Sequence, residues 1–258
     1  MALIKKFRIK SFKKKEQILK LNKISMFYNK RQILNNLNLE INKQEILGML
    51  GPNGVGKSTI FHIITGLKDP SFGTVLINGI DCTNIPIYER ATKFKIGYVP
   101  QYGGFIQDLT LMENLKLVGE IHIKDKHLRN EKIEKVISQF EFDPLLKIKA
   151  KYLSGGQKKK LVISMTLIND PSILLLDEPF AALDILTIKM LQEIIVNLQS
   201  LEKITVVVCD HQARDLLSCV DRAIVLSDGK IIASGSPDEI INDTNARTAY
   251  FGDEFKIN

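Results

Sequence analysis

Between residues 18 and 28 apolar and polar positions alternate, the two-residue period of a strand exposed on one face. A turn at residues 29–31 separates this run from a second alternating one at 33–41. Residues 45–50 are mostly apolar and read as a buried strand. That strand runs into a glycine-rich loop, residues 51–56, and the spacing then predicts a helix to about Thr65. Residues 66–79 hold turn formers around a short strand at 75–77, and another strand is predicted at 95–99.

The pattern changes across residues 109–167. Strand character disappears, and apolar positions such as Leu128, Ile133, Val136, Ile137 and Phe140 recur at helical spacing. Strands return at 173–176, 205–208, 222–226 and 230–233, separated by helical stretches. Ser236-Pro237-Asp238-Glu239 has the form of a capping box with proline at the first helical position, so a helix should begin there. The order is strands, an α/β unit, a helical insertion, and α/β again. It predicts one α/β domain at 18–258 with a helical subdomain inserted at about 106–168, preceded by a basic, flexible tail at 1–17.

Composition limits the possibilities. At 258 residues and 45% hydrophobic, the chain can bury a large core. No apolar run approaches the ~18 residues of a membrane span, so any membrane path is expected to belong to other chains. Cys82, Cys209 and Cys219 have neither disulfide-framework nor zinc spacing, and are expected to be buried thiols. The start is basic but lacks the apolar stretch of a secretory leader, which predicts a cytoplasmic chain. The net charge of +7 belongs to the first twenty residues, where Lys5, Lys6, Arg8, Lys10, Lys13, Lys14, Lys15 and Lys20 face Glu16 alone. The body is therefore neutral and no nucleic-acid partner is expected. The tail interleaves Leu3, Ile4, Phe7, Ile9 and Phe12 with its lysines, a composition suited to an anionic membrane surface.

Two motifs carry chemistry. Gly51-Pro52-Asn53-Gly54-Val55-Gly56-Lys57-Ser58-Thr59 fits the phosphate-binding P-loop, in the required place between a strand and a helix. Glycines let backbone N–H groups curl around a polyanion, and the helix start adds positive potential. Lys57 is expected to reach the β- and γ-phosphates, and Ser58 to hold Mg²⁺. The second motif is an apolar strand ending in Asp177-Glu178-Pro179. It offers one carboxylate to position Mg²⁺ and a second, aimed elsewhere, to polarise an attacking water.

A third motif, Leu153-Ser154-Gly155-Gly156-Gln157, opens a helix ahead of the Asp-Glu strand. It is the signature of ABC ATPases, and the chain resembles that family from about Ile18 onward. The resemblance implies a P-loop NTPase core with a helical insertion and an antiparallel β subdomain, hydrolysing ATP with Mg²⁺. It implies that Tyr28 stacks on adenine and that Gln101 contacts the Mg²⁺ and a transmembrane subunit. It assigns Ala182-Leu183-Asp184 to the D-loop and makes His211 the switch histidine near the γ-phosphate. His62, His122 and His127 are expected to be structural. It also implies that Ser154, Gly155, Gly156 and Gln157 close over ATP held by the P-loop of a second copy, giving a two-fold dimer with two sites. Transmembrane permease subunits would be the other partners, on the cytoplasmic face of the inner membrane.

Within the family, Phe180-Ala181, Asp210-His211-Gln212-Ala213-Arg214 and the tail from Ala249 to Phe255 are most similar to the ATPases of lipopolysaccharide export. ATPases of branched-chain amino-acid importers have a similar body and tail. The chain departs from the export pattern at Ile106, Gln107 and Asp108, where an aromatic and arginines are usual, and at Met165, where arginine is common. Tyr102, Phe105 and Ile106 are expected to form the exposed groove for the partner's helix.

Overall fold

The computed structural model describes residues 16–252. The basic stretch from Lys5 to Lys15 and the end of the tail, Asp253-Glu254-Phe255, lie outside the described residues. The first strand, β1, covers Gln17–Tyr28 and pairs with β2, Arg31–Asn42, through a turn at Asn29-Lys30. Gln17 therefore belongs to the sheet and not to a flexible tail. Its neighbour Glu16 is tied to Lys43 by a backbone hydrogen bond of 2.7 Å and an ion pair of 2.6 Å. Strands β4 (Phe72–Ile77) and β5 (Ile80–Asp81) complete an antiparallel sheet of order β2-β1-β4-β5.

The second sheet is built from β3 (Ile46–Leu50), β6 (Ile96–Val99), β7 (Ile173–Asp177), β8 (Thr205–Cys209), β9 (Arg222–Ser227) and β10 (Lys230–Gly235). Its order is β10-β9-β3-β8-β7-β6, and all but β10 run parallel. Its central strands are apolar without alternation because both faces are covered. Ile46 and Leu50 of β3 face one core cluster while Leu47 and Met49 face the other. Likewise Leu174 and Leu176 of β7 face away from Ile173 and Leu175. One cluster lies toward the antiparallel sheet and α1 (Lys57–Thr65); the other holds the remaining long helices.

Helices α3 (Leu111–His122), α4 (Lys126–Phe140) and α5 (Gly155–Leu167) fall between β6 and β7, where helical spacing was expected. In α4, Ile133, Val136, Ile137 and Phe140 are buried and Leu128 is exposed. Met165 is buried in α5, so its side chain is part of the core. Helices α6 (Ile185–Ser200), α7 (Ala213–Leu217) and α8 (Pro237–Asn242) follow. The capping box at Ser236 is formed: its N–H donates to Glu239 Oε2 at 2.7 Å, and Glu239 N–H returns to Ser236 Oγ at 3.4 Å. The sequence reading assigned no element to α2, Ile87–Lys93, which carries the buried Arg90. All three cysteines are free and buried, as expected.

Candidate functional site

The parallel topology gathers the candidate residues. The P-loop follows β3, Gln101 follows β6, Asp177 and Glu178 end β7, and His211 follows β8. All stand at the carboxyl ends of their strands, where ligands bind in open α/β sheets.

At the P-loop, Gly56 has φ 112°, and a Cβ there would lie 2.7 Å from Leu34 Cδ2. A side chain is excluded twice over, by backbone conformation and by the β2 wall. Lys57 is buried and folds back on its own loop, donating to Gly51 O at 2.7 Å and Pro52 O at 3.0 Å. An ammonium held by two neutral carbonyls is poised to exchange them for phosphate oxygens, which bind it more strongly. Ser58 Oγ donates to Asp177 Oδ1 at 3.2 Å.

Asp177 is 4% exposed and held by three donors. Besides Ser58, Cys209 Sγ reaches Oδ1 at 2.8 Å and the Tyr98 hydroxyl reaches Oδ2 at 3.1 Å. Burial and then the Asp177 charge raise the pKa of both Cys209 and Tyr98, so both keep their protons and remain donors. Glu178 turns away through a left-handed backbone, φ 45°. Its Oε2 accepts the Gln101 side-chain amide at 2.6 Å and lies 3.6 Å from His211 Nδ1. Asp210, wholly buried, fixes the switch loop by accepting Phe180 N–H and Gln212 N–H, each at 2.9 Å.

The signature stands on a separate element. Ser154 and Gln157 cap α5 reciprocally: Ser154 N–H donates to Gln157 Oε1 at 2.9 Å, and Gln157 N–H donates to Ser154 Oγ at 3.2 Å. A Cβ on Gly156 would fall 2.4 Å from Thr187 Cγ2, so glycine there admits close packing on the start of α6. Asp184 caps α6 through Leu186 N–H and Thr187 N–H, each at 3.0 Å. Among the described residues, no hydrogen bond or ion pair joins residues 154–157 to the P-loop of the same chain. Tyr28, at the end of β1, is 40% exposed.

The expected groove is narrower than the sequence suggested. Phe105 is half-buried against the main core, because the loop folds it under, which leaves Tyr102 and Ile106 exposed. Sequence reasoning also gave no role to Lys159, whose half-buried side chain donates to Pro100 O at 3.2 Å and Gln101 O at 3.0 Å. It thereby ties the signature helix to the Gln101 loop. Burial lowers its pKa, partly countered by Asp177, Asp210 and Glu178. A recess of about 460 Å³, lined by Lys43, Lys132, Asp170 and Glu202 among others, opens at the amino ends of β7 and β8, away from this chemistry.

A phosphate-binding loop, a buried aspartate beside its serine and a glutamate–glutamine–histidine cluster define a nucleotide-hydrolysing cassette. The ABC transporter family matches residues 34–181, and the chain belongs to that family. It is an ATP-binding, ATP-hydrolysing transporter subunit. It is 35% identical to the lipopolysaccharide export system ATP-binding protein LptB of Haemophilus influenzae, covering 93% of this chain and 99% of that one. An uncharacterized ABC transporter ATP-binding protein of Rhizobium meliloti is 36% identical, over 89% of this chain and 84% of its own. The ATP-binding cassette MJ1267 superposes with a TM-score of 0.83 at 26% identity, over 92% of this chain and 99% of that one. The dimeric cassette MJ0796 gives 0.77 at 29% identity, over 85% and 99%. Among the described residues no helix is long and apolar enough to cross a membrane.

Proposed function

We propose that the chain hydrolyses ATP as a two-chain sandwich and drives lipopolysaccharide export through separate transmembrane subunits. The observation that carries the hydrolytic reading is the meeting of Ser58, Asp177, Gln101, Glu178 and His211 within a few hydrogen bonds of one another. The donor set fits Mg²⁺: Ser58 Oγ and Asp177 Oδ1 are hard oxygens 3.2 Å apart beside a phosphate loop. No group of three or more His, Cys, Asp or Glu side chains forms a metal cage among the described residues. That is expected of an ion held mainly by substrate phosphates and water. When bound, Mg²⁺ neutralises charge on the β- and γ-phosphates.

The protein's own groups supply the rest. Residues 51–59 cradle the phosphates with backbone N–H groups, Lys57 exchanges its carbonyl partners for phosphate oxygens, and Tyr28 stacks on adenine. Gln101 releases Glu178 as it turns toward the loaded site, and Glu178 then orients the attacking water and takes its proton. His211, beside Glu178, contacts the γ-phosphate. Residues 154–157, on the helical subdomain at about 106–168, close over the ATP of the second copy. Tyr102 and Ile106 receive a helix of the transmembrane partner, which holds the chain on the inner face of the inner membrane.

The export reading is supported by the LptB relatives, which match over nearly their whole length at 32–35% identity. It is tested by depleting the chain in its native cell and following newly made lipopolysaccharide. Retention of lipopolysaccharide in the inner membrane is the expected result. Normal delivery with failed uptake of branched-chain amino acids would replace export by import.

A further inference from the structure

The described chain ends in a single wide helical turn, Arg247–Phe251, that folds back over the switch loop. Within it the Tyr250 hydroxyl donates to the backbone carbonyl of His211 at 2.9 Å. The phenol thus ties the end of the described chain to the loop that follows β8.

Its importance follows from how little else fixes the histidine. The imidazole is 45% exposed, and its Nδ1 is 3.6 Å from both Glu178 and Asp210, too far for a well-formed hydrogen bond. The ring must therefore take its position from its backbone. On the protein side that backbone is set by Asp210, through Phe180 N–H and Gln212 N–H. On the other side it is set by Tyr250. The Tyr250 ring is anchored in turn: it meets Phe251 edge-on at 5.1 Å, and both rings pack against the main core. Burial, with the Asp210 charge adding, pushes the phenol up to about 12, so it keeps its proton and stays a donor at neutral pH.

We propose that Tyr250 is a positioning residue for ATP hydrolysis, its hydroxyl holding the His211 backbone in place so that the imidazole meets the γ-phosphate. This rests on the role given to His211 above. Tyr250→Phe keeps the ring and removes only the hydrogen bond to His211 O. The expected result is a fall in kcat of about three- to tenfold, the scale of one hydrogen bond, with KM for ATP within about twofold.

The test is a double-mutant cycle with His211→Ala, read as single-turnover ATP hydrolysis, with thermal unfolding followed on each chain. Tyr250→Phe should add nothing in the His211→Ala background and leave the unfolding midpoint in place. Equal losses in both backgrounds, an unchanged kcat, or loss of folding in Tyr250→Phe would each overturn the proposal. If His211→Ala alone hydrolysed ATP at the wild-type rate, the role of His211 would fall first, and that outcome is read from a different chain.

Discussion

Arg90 has no exposed surface, yet it is a guanidinium. Nε donates to Ile85 O at 2.6 Å, one terminal nitrogen to Ile63 O at 2.7 Å and Ile64 O at 3.0 Å, and the other to Thr83 O at 2.8 Å. Two of these carbonyls belong to the last turn of α1, the helix that carries Lys57 and Ser58 at its start. That turn has carbonyls without intrahelical partners and a negative dipole end, both suited to a cation. Hydrogen bonds to a charged donor contribute roughly 1.5–3 kcal/mol each, so four of them set a ceiling of about 6–12 kcal/mol. Desolvating the guanidinium costs several kcal/mol in the other direction, and burial does depress its pKa. Ile63 O also keeps the Gly66 N–H at 3.3 Å when the arginine is gone. The balance leaves about 3–5 kcal/mol lost in Arg90→Met, the range seen when a buried charged partner is removed. Arg90→Lys should recover only part, because one ammonium has three N–H groups for four carbonyls and no planar fork. Urea unfolding of the purified chains measures the loss, and nucleotide titration should show weaker ATP binding as α1 loosens. An Arg90→Met chain within about 1 kcal/mol of wild type would refute the reasoning.

Three further outcomes follow from the site. Gly156→Ala should cost about 1–3 kcal/mol by driving a methyl into Thr187, whose hydroxyl is bonded to Asp184 at 2.5 Å and is not free to swing away. Adding Thr187→Ser removes the clashing methyl and should restore stability in chemical unfolding; no rescue would place the cost elsewhere. Mixing a Lys57→Ala chain with a Ser154→Arg chain should restore part of the ATPase activity in confirmed mixed dimers, because one site then carries both lesions and the other neither. Mixed dimers as inactive as either parent would oppose closure in trans. Ile106→Glu, at an exposed position, should abolish co-purification with transmembrane subunits while the isolated chain keeps ATPase within about twofold of wild type. Normal co-purification would remove this surface from the docking site.

The parallel core was legible because strands buried on both faces are written as unbroken apolar runs, as in Leu174-Leu175-Leu176. The P-loop and the Asp-Glu strand end could be placed because each motif sits on such a run. Helix α2 was not legible: its seven residues bury only Arg90, so there is no apolar stripe to give a period. The donors around Asp177 depend on strands far apart in sequence lying side by side, Asp177 beside Cys209 and Leu176 beside Val99. Tyr250 reaches a backbone carbonyl 39 residues away, and a backbone acceptor leaves no mark in sequence. The reciprocal cap at Ser154 and Gln157 was present in the sequence as Ser-x-x-Gln. The motif was expected to open a helix there, but its Ser-x-x-Gln spacing was not read as the cap that starts α5.

The assignment of Glu178 is the centre of the account, since it stands beside Asp177, receives Gln101 and faces His211. Glu178→Gln keeps the size of the side chain and one accepting oxygen but removes the base. Single-turnover hydrolysis of bound ATP, followed on chains separated by size, tests it most directly. The account predicts that the variant binds ATP, accumulates as a two-chain species and hydrolyses at least ~100-fold more slowly than wild type, the lower range for loss of a positioned base. Hydrolysis at a near wild-type rate, with no accumulated two-chain species, would contradict it.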